Sequence, residues 1–513
     1  MADTPSHHGG SENITTGTPS GTPSGTEDML LSSPSRPGSS GHGTDDTSPE
    51  LAHDINNSPD HRQPDPTTEN EQDGDAGAVD DEDDNEDARS HSTTSTEEHE
   101  HEPLETYQNK VIQLFREKFP TLKRDAFRIE RIPGGCFNRI VGVIVDHSKT
   151  RISVLGCLRS TFKCAGSRKT KSQSEEKYIV RIPRFQDIPS PKLRYELATH
   201  TFAYRQFNSP VPRLIDYDLT TNNPLGGWYS IQQWIPGKGL GDEWDALTLD
   251  QKKMAAWLVA NFIRQTHAQT AKVAGIVDDS YLDHQDALDV SVVAFPPHHK
   301  FYDSSHKVLP PYSALDFLVN KCDQWIEKQR EGYLNEENPF YQECEEYFQT
   351  LKKVAQEMHQ HGYLKDDTFH FSHNDLHLDN IFVQVQPDGN IELSGVIDWD
   401  LAAFVPKFVA CEPPLALWSD GYDDAEFDKP ELSPYQSYNG PEDPHAPDIK
   451  ATFDSAAGPE YCHYAYLPEY RLLRDLNRIL DSGISSSYQI DRLERIRDFW
   501  NKKKEELLAE NAA

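Results

Sequence analysis

The first 102 residues contain no phenylalanine, tyrosine or tryptophan and only three basic residues, set against 25 acidic ones. A segment this polar and self-repelling cannot bury enough apolar surface to offset the entropy lost on ordering it. We therefore expect residues 1–102 to form a disordered acidic tail rich in Ser, Thr, Pro and Gly. Acidic runs such as VDDEDDNEDA fit either a basic protein partner or a role in keeping the chain in solution, and the second interpretation is the more general one.

The sequence also lacks any apolar run of about 18 residues, so no membrane-spanning helix is expected. The segment MADTPSHHGG has neither the basic and apolar regions of a signal peptide nor the Arg-rich pattern of a transit peptide. The seven cysteines, at positions 136, 157, 164, 322, 344, 411 and 462, form no CxxC pair. Scattered cysteines in odd number indicate reduced thiols in a cytoplasmic or nuclear protein that is not secreted, and they argue against a zinc site.

Beyond the tail, a β-rich part precedes a helical part, which indicates an α+β fold. Residues 103–235 are predicted to form a small lobe, with strand patterns in FRIERIP, RIVGVIV and KYIVRIP. A polar insertion near 147–176 separates the last two strands; it is interpreted as a solvated loop, and no specific nucleic acid partner is expected. Residues 236–513 are predicted to be mostly helical, except for one β-hairpin in which IFVQV and IELSGVIDWD are joined by the turn Asp388-Gly389.

The stretch FSHNDLHLDN, residues 371–380, is a dense cluster of polar side chains in the helical part. His373 and His377 are four residues apart, a spacing that on a helix would bring both imidazoles to one metal ion. Asn380, however, leads directly into the hairpin, whose second strand brings Asp398 back. A carboxylate at Asp375, an amide and a second carboxylate in this order suit phosphoryl transfer, in which one group accepts a proton and the others hold Mg²⁺.

Several motifs point to one family. HNDLHLDN and IDWD resemble the catalytic and metal-binding segments of the aminoglycoside phosphotransferase and choline kinase family, the small-molecule relatives of protein kinases. GGCFN resembles the nucleotide loop of that family, YIVRIP its lysine-bearing strand, and IQQWIPG its hinge. The motifs occur in the family's order, and the chain is identified from them as a fungal-type member. The resemblance implies a two-lobed protein-kinase-like fold with a small β-rich N-lobe and a larger, mostly helical C-lobe.

The resemblance further implies a kinase that uses ATP and Mg²⁺ to phosphorylate a hydroxyl group of a small molecule. It implies Asp375 as the catalytic base, and Asn380 and Asp398 as the magnesium ligands. It also implies His373 as a structural residue that packs the loop. His377 belongs to the matching pattern, but the sequence supplies no role for it.

A set of nucleotide-binding residues in the N-lobe is implied as well: Gly134, Gly135, Asn138, Arg181, Glu196, Gln233 and Ile235. The two glycines allow the backbone to approach phosphate groups, and the asparagine closes their turn. The arginine and the glutamate are expected to form an ion pair, and the backbone around the last two residues is expected to hydrogen-bond adenine. A turn without a ligand, a surface glutamate and a buried strand end explain the same residues when each is taken singly.

Two positions depart from the family pattern. Arg181 stands where the family has lysine, and a planar guanidinium is not interchangeable with an ammonium group. This favours an alternative hypothesis, in which the chain is a catalytically impaired pseudokinase that acts as an interaction protein through its acidic tail. Trp399 stands where protein kinases have phenylalanine after the metal aspartate, and no Ala-Pro-Glu sequence follows. The second departure favours the small-molecule branch of the family.

The resemblance implies that the region beyond Asp398 forms the acceptor pocket, and the proline-rich composition of segment 405–459 predicts a long loop of the kind that often carries specificity. Its acidic side chains are candidates for meeting a cationic acceptor, and its aromatic side chains are candidates for flanking a quaternary ammonium group. An ordinary acidic loop explains the former equally well, and anchoring in the core is the more general explanation of the latter. The residues concerned are Asp420, Asp423, Asp424, Glu426, Trp418, Tyr422 and Tyr435.

Overall fold

The computed structural model describes residues 102–132, 137–149, 175–184, 190–207, 210–283, 290–294, 311–331, 344–418 and 444–512. The predicted acidic tail, most of the 147–176 insertion and much of the predicted acceptor segment lie outside the described residues. Among the helices of these ranges, none combines the length and the apolar character that a membrane crossing requires.

A five-stranded antiparallel sheet with the strand order β1-β2-β3-β5-β4 forms the first part of the described chain. The strands are β1 (Phe127–Arg131), β2 (Asn138–Asp146), β3 (Glu175–Pro183), β4 (Leu214–Asp218) and β5 (Tyr229–Gln233). Alternation along β2 places Val141, Val143 and Val145 on one face, where helix α1 (Leu104–Lys118) covers them. Val180 pairs with Val141, so the next residue, Arg181, lies on the opposite face of the sheet.

Helices dominate the remainder of the described chain. They are α2 (Ser190–Phe207), α3 (Leu240–Glu243), α4 (Leu249–His267), α5 (Ala314–Arg330), α6 (Cys344–Gln360), α7 (Lys407–Ala410), α8 (Ala446–Ala457), α9 (Pro459–Tyr466), α10 (Pro468–Ser482) and α11 (Ser487–Ala512). Helix α4 begins at a capping box: Thr248 Oγ1 accepts from the Gln251 N–H at 3.4 Å, and Gln251 Oε1 accepts from the Thr248 N–H at 2.9 Å. Such reciprocal capping satisfies two N–H groups that the first turn leaves without partners.

Short strands hold the loops of the helical part in place. They are β6 (Lys238–Gly239), β7 (Thr270–Ala271), β8 (Ile276–Val277), β9 (Val292–Val293), β10 (Phe369–Ser372), β11 (Ile381–Val385), β12 (Ile391–Val396) and β13 (Ala403–Pro406). Strand β10 lies between β13 and β7, and β11 lies between β12 and β6. The predicted hairpin is β11 and β12; Gly389 in its turn has φ +86°, a conformation that favours glycine. The Gly389 carbonyl accepts a hydrogen bond from Gln251 Nε2 at 2.9 Å, which fastens the turn to α4.

The predicted α+β fold of two lobes is confirmed. The antiparallel sheet and α1 share one apolar core, and the helices with their small sheets share others. Helix α2 follows β3 and packs against the region of Trp399, so it links the sheet to the helical part.

Trp399 is the centre of the largest core. Its side chain is fully buried, its ring stacks on Phe371 with centroids 5.9 Å apart, and its Nε1–H donates to the Val396 carbonyl at 2.9 Å. The His373 and Trp399 rings meet edge to face, with their centroids 4.7 Å apart. The loop on either side of these residues therefore rests on a closely packed aromatic base.

We expect Trp399→Ala to lower the free energy of unfolding by about 3 to 5 kcal/mol, because it opens a cavity the size of an indole in this core. Trp399→Phe should cost less, since only part of the volume and one hydrogen bond are lost. Urea unfolding followed by far-UV circular dichroism measures both. The control is Trp257→Ala on α4, where the side chain is 47% exposed and the loss should stay below about 1 kcal/mol. Equal losses at the two tryptophans would contradict this account of the core.

Candidate active site

A loop between β10 and β11 presents Asp375. The preceding residue, Asn374, has φ +59°, a left-handed conformation that asparagine tolerates better than most residues. Asn374 Nδ2 donates to the Leu401 carbonyl at 3.0 Å, which fixes this turn against the segment that follows the hairpin. A 3₁₀ turn, Leu378–Asn380, then leads into β11. The Asp375 carboxylate is thus placed by strained but well-anchored backbone.

Asn380 holds Asp375 directly. Its Nδ2 donates to the Asp375 carbonyl at 2.9 Å and to Asp375 Oδ2 at 3.3 Å. Desolvation raises the pKa of the Asp375 carboxyl above its usual range, and the charge of Asp398 adds to this rise, whereas His377 and the hydrogen bond from Asn380 oppose it. A carboxylate that is only 40% exposed and has a raised pKa is a stronger proton acceptor than a free aspartate.

Asp398 lies at the far end of the hairpin and faces the same loop. Its φ is +64°, the second left-handed non-glycine residue of the described chain. The neighbouring Ile397 N–H donates to the Asn380 carbonyl at 2.9 Å, so the two ends of the hairpin are held together. The predicted pair of magnesium ligands, Asn380 and Asp398, is therefore brought to one place by backbone hydrogen bonding.

Arg181 reaches from the sheet to the end of the hairpin. Its Nη2 donates to Asp398 Oδ1 at 2.9 Å and to Asp400 Oδ2 at 2.7 Å, and its Nη1 donates to Asp400 Oδ1 at 3.2 Å. Desolvation alone would lower the pKa of this guanidinium, but the carboxylates of Asp400 and Asp398 outweigh it and raise that pKa above its usual value. Asp400 was not singled out in the sequence, although it is the last residue of the IDWD motif.

The prediction of an ion pair between Arg181 and Glu196 is wrong. Glu196 on α2 pairs instead with Lys192, one helical turn earlier, at 3.2 Å. Desolvation raises the pKa of Glu196 to about 8, and the nearby charge of Asp400 contributes to the rise. Glu196 is thus partly protonated at neutral pH and a weak partner, while the two aspartates take the donors of Arg181.

A small pocket that is open to solvent lies between the sheet and α2. Asn138, Arg181 and Glu196, three of the predicted nucleotide-binding residues, line it together with His200, Gln232 and Asp400. Gly134 and Gly135 lie outside the described residues. The structure therefore brings Asn138, Arg181 and Glu196 together at this pocket, whereas Gln233 and Ile235 do not line it.

The predicted hinge follows β5. The Gln233 N–H donates to the Arg213 carbonyl at 2.9 Å and is therefore committed to the sheet. The Ile235 N–H has no hydrogen-bond partner among the described residues. A Cβ added to Gly395 of β12 would overlap the Ile235 side chain, and one added to Gly142 of β2 would overlap the ring of Trp234. These two glycines let the hinge side chains pack close to both sheets. A glycine inside a strand is a sequence signal for such a close approach, and the sequence analysis missed it.

The two histidines of the loop do not form a shared metal site. The buried His373 ring points its Nε2 to the Ile397 carbonyl at 2.9 Å, while His377 Nε2 lies 3.0 Å from Asn380 Nδ2. Across the described ranges, no group of three or more His, Cys, Asp and Glu side chains forms a metal-binding cluster. Mg²⁺, however, is commonly held by one or two protein oxygens together with nucleotide phosphates, and Asn380 Oδ1 and the Asp398 carboxylate are oxygen donors of that kind.

The predicted acceptor residues are mostly not described. Asp420, Asp423, Asp424, Glu426, Tyr422 and Tyr435 lie outside the described residues. Trp418 is buried and packs against Phe453, with ring centroids 5.3 Å apart. Trp418 therefore anchors the core, which is the more general of the two explanations given for the aromatic side chains of this segment.

Parts of the chain are similar to a family model and to proteins of known sequence. The model of the phosphotransferase enzyme family matches residues 167–406. Altered inheritance of mitochondria protein 9 of Candida glabrata is 33% identical over 89 residues, which cover 17% of this chain and 14% of the relative. A subtelomeric hrmA-associated cluster protein of Aspergillus fumigatus is 30% identical over 86 residues, 16% of each chain. The matched segments thus span about a seventh of the length of these curated relatives.

Two solved structures are among the similar ones. A thermostable mutant of aminoglycoside phosphotransferase APH(4)-Ia, in a complex with AMP-PNP and hygromycin B, is 15% identical with a TM-score of 0.37; the match covers 76% of this chain and 98% of that one. An ethanolamine kinase of Plasmodium vivax is 12% identical with a TM-score of 0.38, covering 80% and 94% of the two chains. The match to the family model agrees with the family that the sequence motifs indicate.

We expect Arg181→Gln to lower the free energy of unfolding by about 2 to 3 kcal/mol, because it leaves the partly exposed carboxylates of Asp398 and Asp400 without their cation. Thermal or urea unfolding at pH 7 measures this. Arg194→Gln is the matched control: Arg194 also bridges two aspartates, Asp279 at 2.7 Å and Asp283 at 2.9 Å, but its side chain is 31% exposed against 13% for Arg181. That control should cost less than about 1 kcal/mol. A similar, small loss at both arginines would contradict the role assigned to Arg181.

A second prediction concerns His373. Its Nε2–H donates to a carbonyl and its Nδ1 is buried without a partner, so desolvation lowers the pKa of His373 to about 4. The unfolded chain, with a histidine pKa near 6.5, then takes up the proton first as the pH falls, and stability is lost between about pH 6.5 and pH 4. His373→Gln should remove about 1 to 2 kcal/mol of the loss measured between pH 7 and pH 5.

Urea unfolding at the two pH values provides this measurement. The exposed His361 offers the matched control, because its imidazole remains in water in both the folded and the unfolded state. If His373→Gln and His361→Gln change the pH dependence by the same amount, the burial of His373 is not its cause.

Proposed function

Since residues 167–406 carry a domain of the phosphotransferase enzyme family, we propose that this chain is a kinase that uses ATP and Mg²⁺ to phosphorylate a hydroxyl group of a small molecule. The observation that carries the proposal is the arrangement at the hairpin: the Asp375 carboxylate held by Asn380, with Asp398 facing it and Arg181 behind. An amide and two carboxylates at this spacing are what phosphoryl transfer requires of a protein.

Asp375 acts as the general base in this proposal. Its carboxylate accepts the proton of the attacking hydroxyl as the new bond from that oxygen to the terminal phosphorus forms, while the bond from this phosphorus to the bridging oxygen breaks and ADP leaves. The raised pKa of Asp375 favours the proton transfer. The hydrogen bonds from Asn380 Nδ2 keep the carboxylate from rotating, so the acceptor meets it in one orientation. The same short loop thus supplies the general base and the residue that orients it.

Asn380 Oδ1 and the carboxylate of Asp398 are the oxygen ligands for Mg²⁺ in this proposal. The donor set fits, because Asn380 makes its recorded side-chain hydrogen bonds through Nδ2 and Asp398 is 42% exposed. When bound, Mg²⁺ neutralises charge that develops on the phosphate oxygens. Arg181 already occupies Asp398 Oδ1, so Asp398 Oδ2 is the oxygen open to the metal without loss of that bond.

Arg181 contributes positive charge to the site in the absence of nucleotide. A guanidinium presents five N–H donors in a plane, and three hydrogen bonds to Asp398 and Asp400 leave part of that capacity for a phosphate oxygen. The same contacts support the alternative, a pseudokinase in which Arg181 occupies the metal aspartate and nucleotide binding is weak. The two functions differ in whether Mg²⁺ and ATP stabilise the fold.

We expect Asp375→Ala to reduce turnover by roughly 10² to 10⁴-fold while leaving nucleotide binding largely intact, because the base is lost and the ligands remain. Asp398→Ala should instead weaken Mg²⁺-nucleotide binding itself. Turnover is followed as acceptor-dependent release of ADP in a panel of small hydroxyl compounds, and binding as a thermal shift with AMP-PNP and Mg²⁺. Asp498→Ala, an exposed aspartate on α11, is the control and should change neither.

Unchanged turnover in Asp375→Ala would make the assignment of the base wrong. Absence of any Mg²⁺-dependent thermal stabilisation by ATP in the unaltered chain would favour the pseudokinase. Stabilisation without turnover on any small hydroxyl compound would place the acceptor outside the class proposed.

A further inference from the structure

His377 is the residue of the catalytic loop for which the sequence supplies no role. Its ring is 49% exposed and lies beside the Asn380 amide, with Nε2 at 3.0 Å from Asn380 Nδ2. An exposed loop histidine needs no function to be tolerated, so the direction of this hydrogen bond decides whether it has one.

The neighbours of the Asn380 amide fix that direction. The nitrogen lies 2.9 Å from the Asp375 carbonyl and 3.3 Å from Asp375 Oδ2, and both of these oxygens are acceptors. The atom facing them must therefore be the NH₂ group, and the amide oxygen must point the other way. The same NH₂ group faces His377, so His377 Nε2 accepts the hydrogen bond.

Asp379 lies beside the other ring nitrogen of His377. Its Oδ2 is 3.6 Å from His377 Nδ1. A Cβ on Gly241 would overlap Asp379 Oδ1, which means that Gly241 at the start of α3 makes room for this carboxylate. The ring of His377 is thus placed between an acceptor on one side and the donor of Asn380 on the other.

We propose that His377 is a positioning residue: by accepting from Asn380 Nδ2, it helps to turn Asn380 Oδ1 toward the magnesium ion. This inference rests on the proposed function and deepens it. A side-chain amide has an acceptor oxygen at one end and a donor NH₂ group at the other, and a metal ligand must present its oxygen. Asp375 alone holds one side of the NH₂ group, and His377 supplies the acceptor for its second hydrogen. Partners that orient a metal ligand commonly change metal affinity by 10 to 100-fold when they are removed.

The test compares His377→Leu with His377→Gln. Leucine removes the acceptor, whereas the glutamine side chain can place an amide oxygen at the same number of bonds from Cα as Nε2. The midpoint for Mg²⁺ is measured by thermal shift at fixed AMP-PNP, a readout that does not require turnover. We expect His377→Leu to raise that midpoint about tenfold and His377→Gln to stay within about threefold of the unaltered chain. The melting temperature without ligands should be the same in all three, because the side chain is half exposed.

The outcomes separate this inference from the function on which it rests. If the unaltered chain shows no Mg²⁺-dependent shift with AMP-PNP, the proposed function fails and this inference fails with it. If the unaltered chain responds and His377→Leu has the same midpoint, only the role of His377 is overturned. A tenfold rise of the Mg²⁺ midpoint in both His377→Leu and His377→Gln would also overturn it, because the hydrogen-bond acceptor would then not be the cause of the change.

Discussion

Four carboxyl groups lie near one another at the junction of the sheet and the helical part: those of Asp375, Asp398, Asp400 and Glu196. The guanidinium of Arg181 binds two of them. Two unit charges 4 Å apart interact by about 4 kcal/mol at an effective dielectric constant of 20, so carboxylates gathered without a cation would repel strongly. Arg181 relieves this repulsion by binding Asp398 and Asp400, and Glu196 relieves it by remaining partly protonated. The position of the hairpin end relative to the sheet depends on that balance of charge.

The aromatic base under the loop is the second condition of the site. Trp399 separates Asp398 from Asp400 in the chain, and its burial directs the two aspartates away from the core while their backbone remains fixed. Stacking on Phe371 ties that segment to β10, the strand that leads into the loop of Asp375. The charged cluster and the apolar core are therefore built from alternating residues of the same short segment.

Local patterns were enough to predict much of this architecture. Strand patterns predicted β1, β2 and β3, the Asp388-Gly389 pair predicted the hairpin turn, and residues 236–513 were predicted to be mostly helical. Partner choice across the chain was not predictable in the same way. Glu196 has a lysine four residues earlier on its own helix, and Arg181 finds two aspartates more than two hundred residues away. Which pair forms depends on relative desolvation and distance, and these follow only from the packed fold.

His373 and His377 show how strongly the surroundings decide what one side chain does. Both come from the same ten-residue stretch, and their spacing suggested a common metal ion. Burial against Trp399 deprives His373 of water, commits its Nε2–H to a backbone carbonyl and lowers its pKa to about 4, so it stays neutral and structural. His377 remains at the surface, where its ring nitrogen meets an amide that already has a defined polarity. A hydrogen bond to an amide of known direction says more about a side chain than the spacing of two imidazoles, because it fixes which atom of Asn380 remains open to a ligand.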